Sequence, residues 1–237
     1  MSIFVKICGL CSPDDVQAVA ELGPDAMGFV FWPGSKRHVS AASVAEWTKD
    51  LPGSILKVGV FVEGTPSEIA QAVQEAGLDV VQLHGFQSAF AAVYPPKAAP
   101  SAARAAADKS LEKEAADFPR IGKKGGGFSN VWKVVHLERS SEVPEDLGRV
   151  DACVLDSYSA ESPGGTGLRL DWNKARDFVK ACRKPVLLAG GLTPENVEEA
   201  IRRVRPWGVD VSSGVEKEPG RKDIARVRVF VDRCRRE

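Results

Sequence analysis

Surplus charge is the first thing this sequence does without. Its 237 residues carry 32 Lys and Arg against 32 Asp and Glu, for a formal net charge of +0. A surface built to coat DNA or RNA shows a basic excess, so nucleic acid is not expected as a partner. Long apolar runs are missing as well. No window approaches the ~18 uninterrupted apolar residues of a membrane span, so no membrane association is expected. Met1-Ser2-Ile3-Phe4-Val5-Lys6 has no basic stretch leading into an apolar one, and no signal peptide is expected. Cysteine is scarce: Cys8, Cys11, Cys153, Cys182 and Cys234 form an odd set without framework spacing. Free thiols in a reducing compartment follow, and with them a cytoplasmic location. Cys8-Gly9-Leu10-Cys11 has no second C-x-x-C to complete a zinc site, and no H-E-x-x-H occurs, so no metal is expected.

What is present is alternation. Short β-branched runs at Phe4–Cys8, Met27–Phe31, Lys57–Phe61, Val80–His84, Val131–His136, Ala152–Asp156, Val186–Ala189 and Gly208–Ser212 read as strands. Most are apolar on both parities, as parallel strands covered on both faces require. Ser12-Pro13, Thr65-Pro66 and Thr193-Pro194 each set a capping hydroxyl before a proline at a helix start. Gly23 and Gly77 sit where helices stop. Gly-containing segments with an aspartate (Gly23 to Ala26, Gly77 to Val80, Gly148 to Ala152, Gly208 to Val211) lead into every second strand, a weak repeat of two βα units. Eight strands with helices between them favour an α/β fold, a single (βα)8 TIM barrel over residues 1–237.

The interval from His84 to Val131 is far longer than one helix and its turns need. Residues 86–130 therefore read as an insertion or remodelled region between strands 4 and 5, not as a second domain. Ile121 to Gly127 is glycine-rich, but the spacing is not that of a P-loop. The arginines near the end (Arg226, Arg228, Arg233, Arg235 and Arg236) read as a solvated helix face.

Parallel barrels place their chemistry at the C-terminal strand ends. There the sequence offers Cys8, His84 and Asp156, then Gly164-Gly165-Thr166-Gly167, Gly190-Gly191 and Ser212-Ser213-Gly214. Three glycine-bearing loops after strands six, seven and eight suit backbone N–H donation to a phosphate. Side-chain parity turns Lys6 and Cys8 inward, with Gln82, His84, Val154, Asp156, Asp210 and Ser212. A buried lysine needs a counter-charge, and Asp210 is the inward carboxylate available to Lys6. An inward thiol and a strand-end carboxylate beside phosphate loops offer one base and one acid for moving protons on a sugar phosphate.

These segments together resemble the phosphoribosylanthranilate isomerase family of tryptophan biosynthesis. The resemblance is carried by Lys6-Ile7-Cys8-Gly9-Leu10, Gly28-Phe29-Val30-Phe31, Ser35-Lys36-Arg37-His38-Val39-Ser40, Val58-Gly59-Val60-Phe61-Val62 and Val81-Gln82-Leu83-His84-Gly85. It continues through Leu155-Asp156-Ser157, Gly164-Gly165-Thr166-Gly167, Asp171-Trp172, Leu188-Ala189-Gly190-Gly191-Leu192, Val209-Asp210-Val211-Ser212-Ser213-Gly214-Val215-Glu216 and Pro219-Gly220-Arg221-Lys222-Asp223. It implies a cofactor-free Amadori rearrangement of N-(5-phosphoribosyl)anthranilate to 1-(2-carboxyphenylamino)-1-deoxyribulose 5-phosphate. In that reading Asp156 resembles the general acid at the ring oxygen, and Cys8 the base that takes the C2′ proton. This demands a thiolate at Cys8 and a protonated Asp156. Arg37 resembles the partner of the anthranilate carboxylate; His84 and Asp210 are expected in the substrate pocket. Gly165, Thr166, Gly167, Gly190, Gly191, Ser212, Ser213 and Gly214 are expected to hold the phosphate. The small-molecule substrate is the implied partner, in a monomer or homodimer. Two alternatives stay open: a histidine-pathway phosphosugar isomerase, which would carry aspartate where Cys8 stands, and a barrel that only binds a phosphorylated ligand. Cys11 stands where the family usually has threonine, so oxidation of the Cys8/Cys11 pair is a further expectation.

Overall fold

Strands apolar on both parities need cover on both faces, and a closed barrel ringed by helices supplies it. The computed structural model describes residues 3–84, 130–137, 143, 147, 150–157 and 170–237. Its strands are β1 (Phe4–Cys8), β2 (Ala26–Val30), β3 (Leu56–Phe61), β4 (Val80–Leu83), β5 (Val131–His136), β6 (Ala152–Asp156), β7 (Val186–Leu188) and β8 (Gly208–Val211). They pair in chain order, all parallel, and β1 closes on β8. Around them lie α1 (Pro13–Ala20), α2 (Ala41–Trp47), α3 (Pro66–Ala76), α4 (Trp172–Ala181), α5 (Val197–Val204) and α6 (Ile224–Cys234). A short antiparallel pair, β9 (Glu216–Glu218) and β10 (Arg221–Lys222), follows β8. No described helix is long and apolar enough to cross a membrane. The insertion expected at 86–130 lies outside the described residues, apart from Asn130.

The parity reading holds. Val5 and Ile7 pack outward among the helices, as do Met27, Phe29, Cys153 and Leu155. Leu56, Val58, Val134 and Val154 fill the barrel interior. Phe4 closes its floor, stacked on Trp207 at 4.4 Å and edge-on to Trp132 at 5.9 Å. Above that floor Lys6 lies opposite Asp210 in the β1–β8 register, and Cys8, Val30 and Val60 cluster nearer the mouth.

The aspartate of the repeat has a physical task. Asp25 accepts from the Val5 N–H at 2.7 Å, Asp79 from Lys57 at 2.9 Å and Asp151 from Val131 at 2.7 Å. Each aspartate's own N–H donates back to the carbonyl of that same residue. A two-bond clamp thus ties the base of an even strand to the odd strand before it. In the fourth copy the aspartate sits inside the strand, and Asp210 turns into the barrel instead.

Two expectations need correction. Thr65 does cap α3 with a full capping box, and Ser12 caps α1. Thr193-Pro194, however, does not start a helix: α5 begins at Val197 with Asn196 before it. The Thr193 hydroxyl accepts from Glu195 N, while Asn196 spends its side chain on the Gly191 carbonyl and the Thr193 N–H. The terminal arginines are not simply a solvated face either. Arg226 donates to the Gly214 carbonyl, Arg233 to the Pro194 carbonyl and Arg235 to the Ile3 carbonyl. Carbonyls at both rims of the barrel lack strand partners, and guanidinium forks satisfy them.

Candidate active site

Strand ends at the barrel mouth frame an open pocket. Cys8, Arg37, His84, Asp156, Gly190, Gly191, Asp210, Ser212, Ser213 and Gly214 all border it. The structure therefore brings together every expected site residue that it describes. Gly165, Thr166 and Gly167 lie outside the described residues.

Cys8 is the last residue of β1, and Gly28 faces it across the β1–β2 pairing. A Cβ at Gly28 would stand 2.6 Å from the Cys8 sulfur, so only glycine leaves the thiol this position. Burial pushes the thiol above its ordinary range; Lys6 pulls it back down and the Asp210 charge pushes it up again. Withdrawal from water outweighs the two lysines that favour the thiolate, Lys6 and Lys222, so burial favours the protonated thiol.

Asp156 ends β6, beside His136 on β5. It accepts from the Ser157 N–H at 2.8 Å. Burial raises its carboxyl to about 7, the Asp210 charge adds to the rise, and Ser157 and Lys6 oppose it. A carboxyl that holds its proton near neutral pH is suited to general acid work. His84 is pushed the other way, to about 3, by burial and then by the charges of His136 and Lys6. It is a neutral imidazole with Gln82 at 3.5 Å on Nε2, and its Nδ1 has no hydrogen-bond partner among the described residues.

Two ion-pair systems flank the acid and base. Lys6 Nζ donates to Asp210 at 2.8 Å, with both side chains buried. Burial opposes the lysine's charge, but Asp210 and Cys8 together raise its affinity for the proton. The second system joins Arg37 to Glu216 and Lys222, two residues to which the sequence assigns no role. Arg37 donates to Glu216 through Nε at 2.8 Å and Nη2 at 2.6 Å. Lys222 Nζ adds a contact to Glu216 at 2.8 Å and another to the Ser212 carbonyl. Glu216 and Lys222 stand outside the eight strands, which is why parity counting passed over them. Both residues lie in segments that carry the family resemblance, and only folding places them against Arg37.

The loops after β7 and β8 touch. A Cβ at Gly214 would overlap the Leu192 carbonyl oxygen at 1.9 Å, so the close approach of these backbones needs glycine there. Asn196 fixes the first loop and Arg226 the second. Backbone groups held this way are suited to receive an anion. Cys11 donates to the Gly9 carbonyl at 3.5 Å, and burial raises it to about 11, so it is a poor thiolate. Among the described residues, no group of His, Cys, Asp or Glu is arranged to hold a metal ion.

Comparison with known proteins supplies an independent finding. The family model for N-(5'phosphoribosyl)anthranilate (PRA) isomerase matches residues 5–122 and 128–233. An N-(5'-phosphoribosyl)anthranilate isomerase of Thiobacillus denitrificans is 34% identical over 235 residues, 99% of each chain. A monomer form of the dimeric Thermotoga maritima enzyme is 32% identical with a TM-score of 0.70, covering 99% of this chain and 100% of that one. A phosphoribosyl anthranilate isomerase bound to reduced 1-(o-carboxyphenylamino)-1-deoxyribulose 5-phosphate aligns at a TM-score of 0.69. It is 30% identical, over 99% of this chain and 100% of that one.

Proposed function

The chain belongs to the N-(5'-phosphoribosyl)anthranilate isomerase family, and on that footing we propose that Cys8 is its catalytic base and Asp156 its general acid. The protein is an isomerase of tryptophan biosynthesis, converting N-(5-phosphoribosyl)anthranilate to 1-(2-carboxyphenylamino)-1-deoxyribulose 5-phosphate. The observation that carries the residue roles is the pairing, around one cavity, of a carboxyl raised to about 7 with a buried thiol.

Asp156 gives its proton to the furanose ring oxygen, and the ring opens to a protonated Schiff base. Cys8 then removes the C2′ proton, and the electron pair flows toward nitrogen to form the enolamine. Tautomerisation yields the ketone. One turnover thus begins with acid and thiolate and ends with carboxylate and thiol. The proton taken from C2′ must pass from sulfur to Asp156, directly or through solvent, before the next turnover. Arg37 meets the anthranilate carboxylate, His84 and Asp210 border the sugar, and the cradle at Gly190, Gly191, Ser212, Ser213 and Gly214 takes the phosphate. Gly165, Thr166 and Gly167 are assigned to the same phosphate from the family motif.

The family match skips only residues 123–127, which supports reading the chain as one barrel with its extra length inside 86–130. The Thermotoga relative, a dimer also obtained as monomers, supports reading this chain as a monomer or homodimer. The five cysteines are all unpaired thiols, which supports a cytoplasmic location.

Loss of substrate fluorescence tests the reading, with the labile substrate generated in place from anthranilate and phosphoribosyl pyrophosphate by the upstream transferase. Wild type accelerates the loss, while Cys8→Ser falls by a factor of about 10² to 10⁴ with an unchanged far-ultraviolet circular dichroism spectrum. Near wild-type turnover in Cys8→Ser removes the cysteine from its assigned role.

A further inference from the structure

Arginine has five N–H donors in a rigid planar fork. Glu216 takes one from Nε and one from Nη2 of Arg37, at 2.8 and 2.6 Å. This side-on pairing uses the edge of the guanidinium nearest the chain. The opposite edge, formed by Nη1 and the second proton of Nη2, has no hydrogen-bond partner among the described residues and suits an end-on, bidentate carboxylate. Rotation about the last side-chain bonds is what normally makes arginine a loose ligand. Here that freedom is already gone.

Glu216 is itself held. Lys222 Nζ donates to the same Oε1 at 2.8 Å and to the Ser212 carbonyl at 3.2 Å. The Lys222 backbone N–H donates to Asp15 at 2.9 Å. Lys222 is fully buried as a side chain and Glu216 is only 4% exposed, while Arg37 is 14% exposed. Burial alone would raise the Glu216 carboxyl, yet Arg37 and Lys222 hold it below the usual range. Two cations on one carboxylate leave the trio with a net positive charge, so the unit still attracts an anion after satisfying its own.

We propose that Glu216, anchored by Lys222, is a positioning residue that presets the free edge of Arg37 for the aryl carboxylate of the substrate. The proposal rests on the reading of Arg37 as the carboxylate partner. It assigns carboxylate selectivity to a three-residue unit that spans the β2–α2 loop and the β9–β10 hairpin, not to Arg37 alone.

Charge and positioning predict opposite signs for loss of Glu216. Removing its negative charge strengthens the local field for an anion. If field were the whole effect, carboxylate binding would improve. If positioning governs, binding weakens despite the stronger field. Glu216→Asp separates the two further, since it keeps the charge and withdraws the oxygens by one methylene.

Calorimetric binding of two compounds decides the matter: reduced 1-(o-carboxyphenylamino)-1-deoxyribulose 5-phosphate and its phenylamino counterpart without the carboxylate. Wild type prefers the carboxylate compound, and Arg37→Ala abolishes that preference. Glu216→Asp and Glu216→Gln each cut the preference about tenfold or more, with affinity for the counterpart held within about threefold. If Arg37→Ala keeps the preference, the underlying reading of Arg37 is wrong. If Arg37→Ala loses it while both Glu216 variants keep or increase it, Arg37 stands and the proposal falls. Equal loss for both compounds in both Glu216 variants also overturns the proposal, since Glu216 would then be a general structural support.

Discussion

The acid and base hold one proton between them over a broad pH range, and a pH profile of kcat/KM reads out where it sits. Asp156 titrates near 7, and Cys8 lies above the ordinary 9.0 of a thiol. Between those values the stable arrangement is carboxylate and thiol. The productive one, acid and thiolate, is the minor form, because burial raises the thiol above its ordinary range. Below 7 the pair takes up a second proton, the thiolate form is depleted, and kcat/KM falls tenfold per pH unit. Above 7 it runs level until the thiol titrates. The limb near 7 thus belongs to the residue that acts as acid, the reverse of the usual assignment. Substrate fluorescence loss from pH 5.5 to 9.5, corrected for spontaneous decay, measures the profile. The substrate phosphate takes up its own proton near ~6, which steepens the lower limb without moving the bend at 7. A maximum below pH 7 followed by decline would refute the reasoning, because the active state would then carry two protons.

Other perturbations follow from the same geometry. Gly28→Ala places a Cβ 2.6 Å from the Cys8 sulfur; turnover drops at least tenfold, and iodoacetamide labelling of Cys8 changes rate. Lys6→Met strands the buried Asp210 carboxylate and costs about 3–5 kcal/mol in urea unfolding, whereas Lys6→Met with Asp210→Leu recovers most of that loss. Asp151→Ala removes a charge-assisted bond to the buried Val131 N–H and costs about 1.5–3 kcal/mol, with kcat/KM unchanged at the distant mouth.

A protonated thiol in the resting site gives the two buried lysines a mechanistic sense. Lys6 and Lys222 lower the cost of the Cys8 thiolate without making it the ground state. A permanently ionised thiol would be prone to oxidation, and burial of Cys8 instead favours the thiol form. Asp156 is tuned from the other side. Its burial and the Asp210 charge strengthen its hold on the proton.

Strand positions, inward parity and the Lys6–Asp210 pair were legible from the sequence because they depend on a period of two and on the need of a buried charge for a partner. The start of α3 was legible because Thr65 and Glu68 form a local capping box. Local rules failed at Thr193-Pro194, where Asn196 makes more hydrogen bonds in the Gly191 loop than it could by extending a helix. They failed again at the terminal arginines, whose partners at Ile3, Pro194 and Gly214 are remote in sequence. Place at the strand ends singled out Cys8 and Asp156, and the family resemblance added Arg37, which lies in a loop between β2 and α2. Tertiary structure decided their states. Whether sulfur keeps its proton, whether Asp156 titrates near 7, and which edge of Arg37 is free all depend on desolvation and on charges brought together by barrel closure. Arg37 and Glu216 are 179 residues apart in the chain, a distance across which no local pattern carries information.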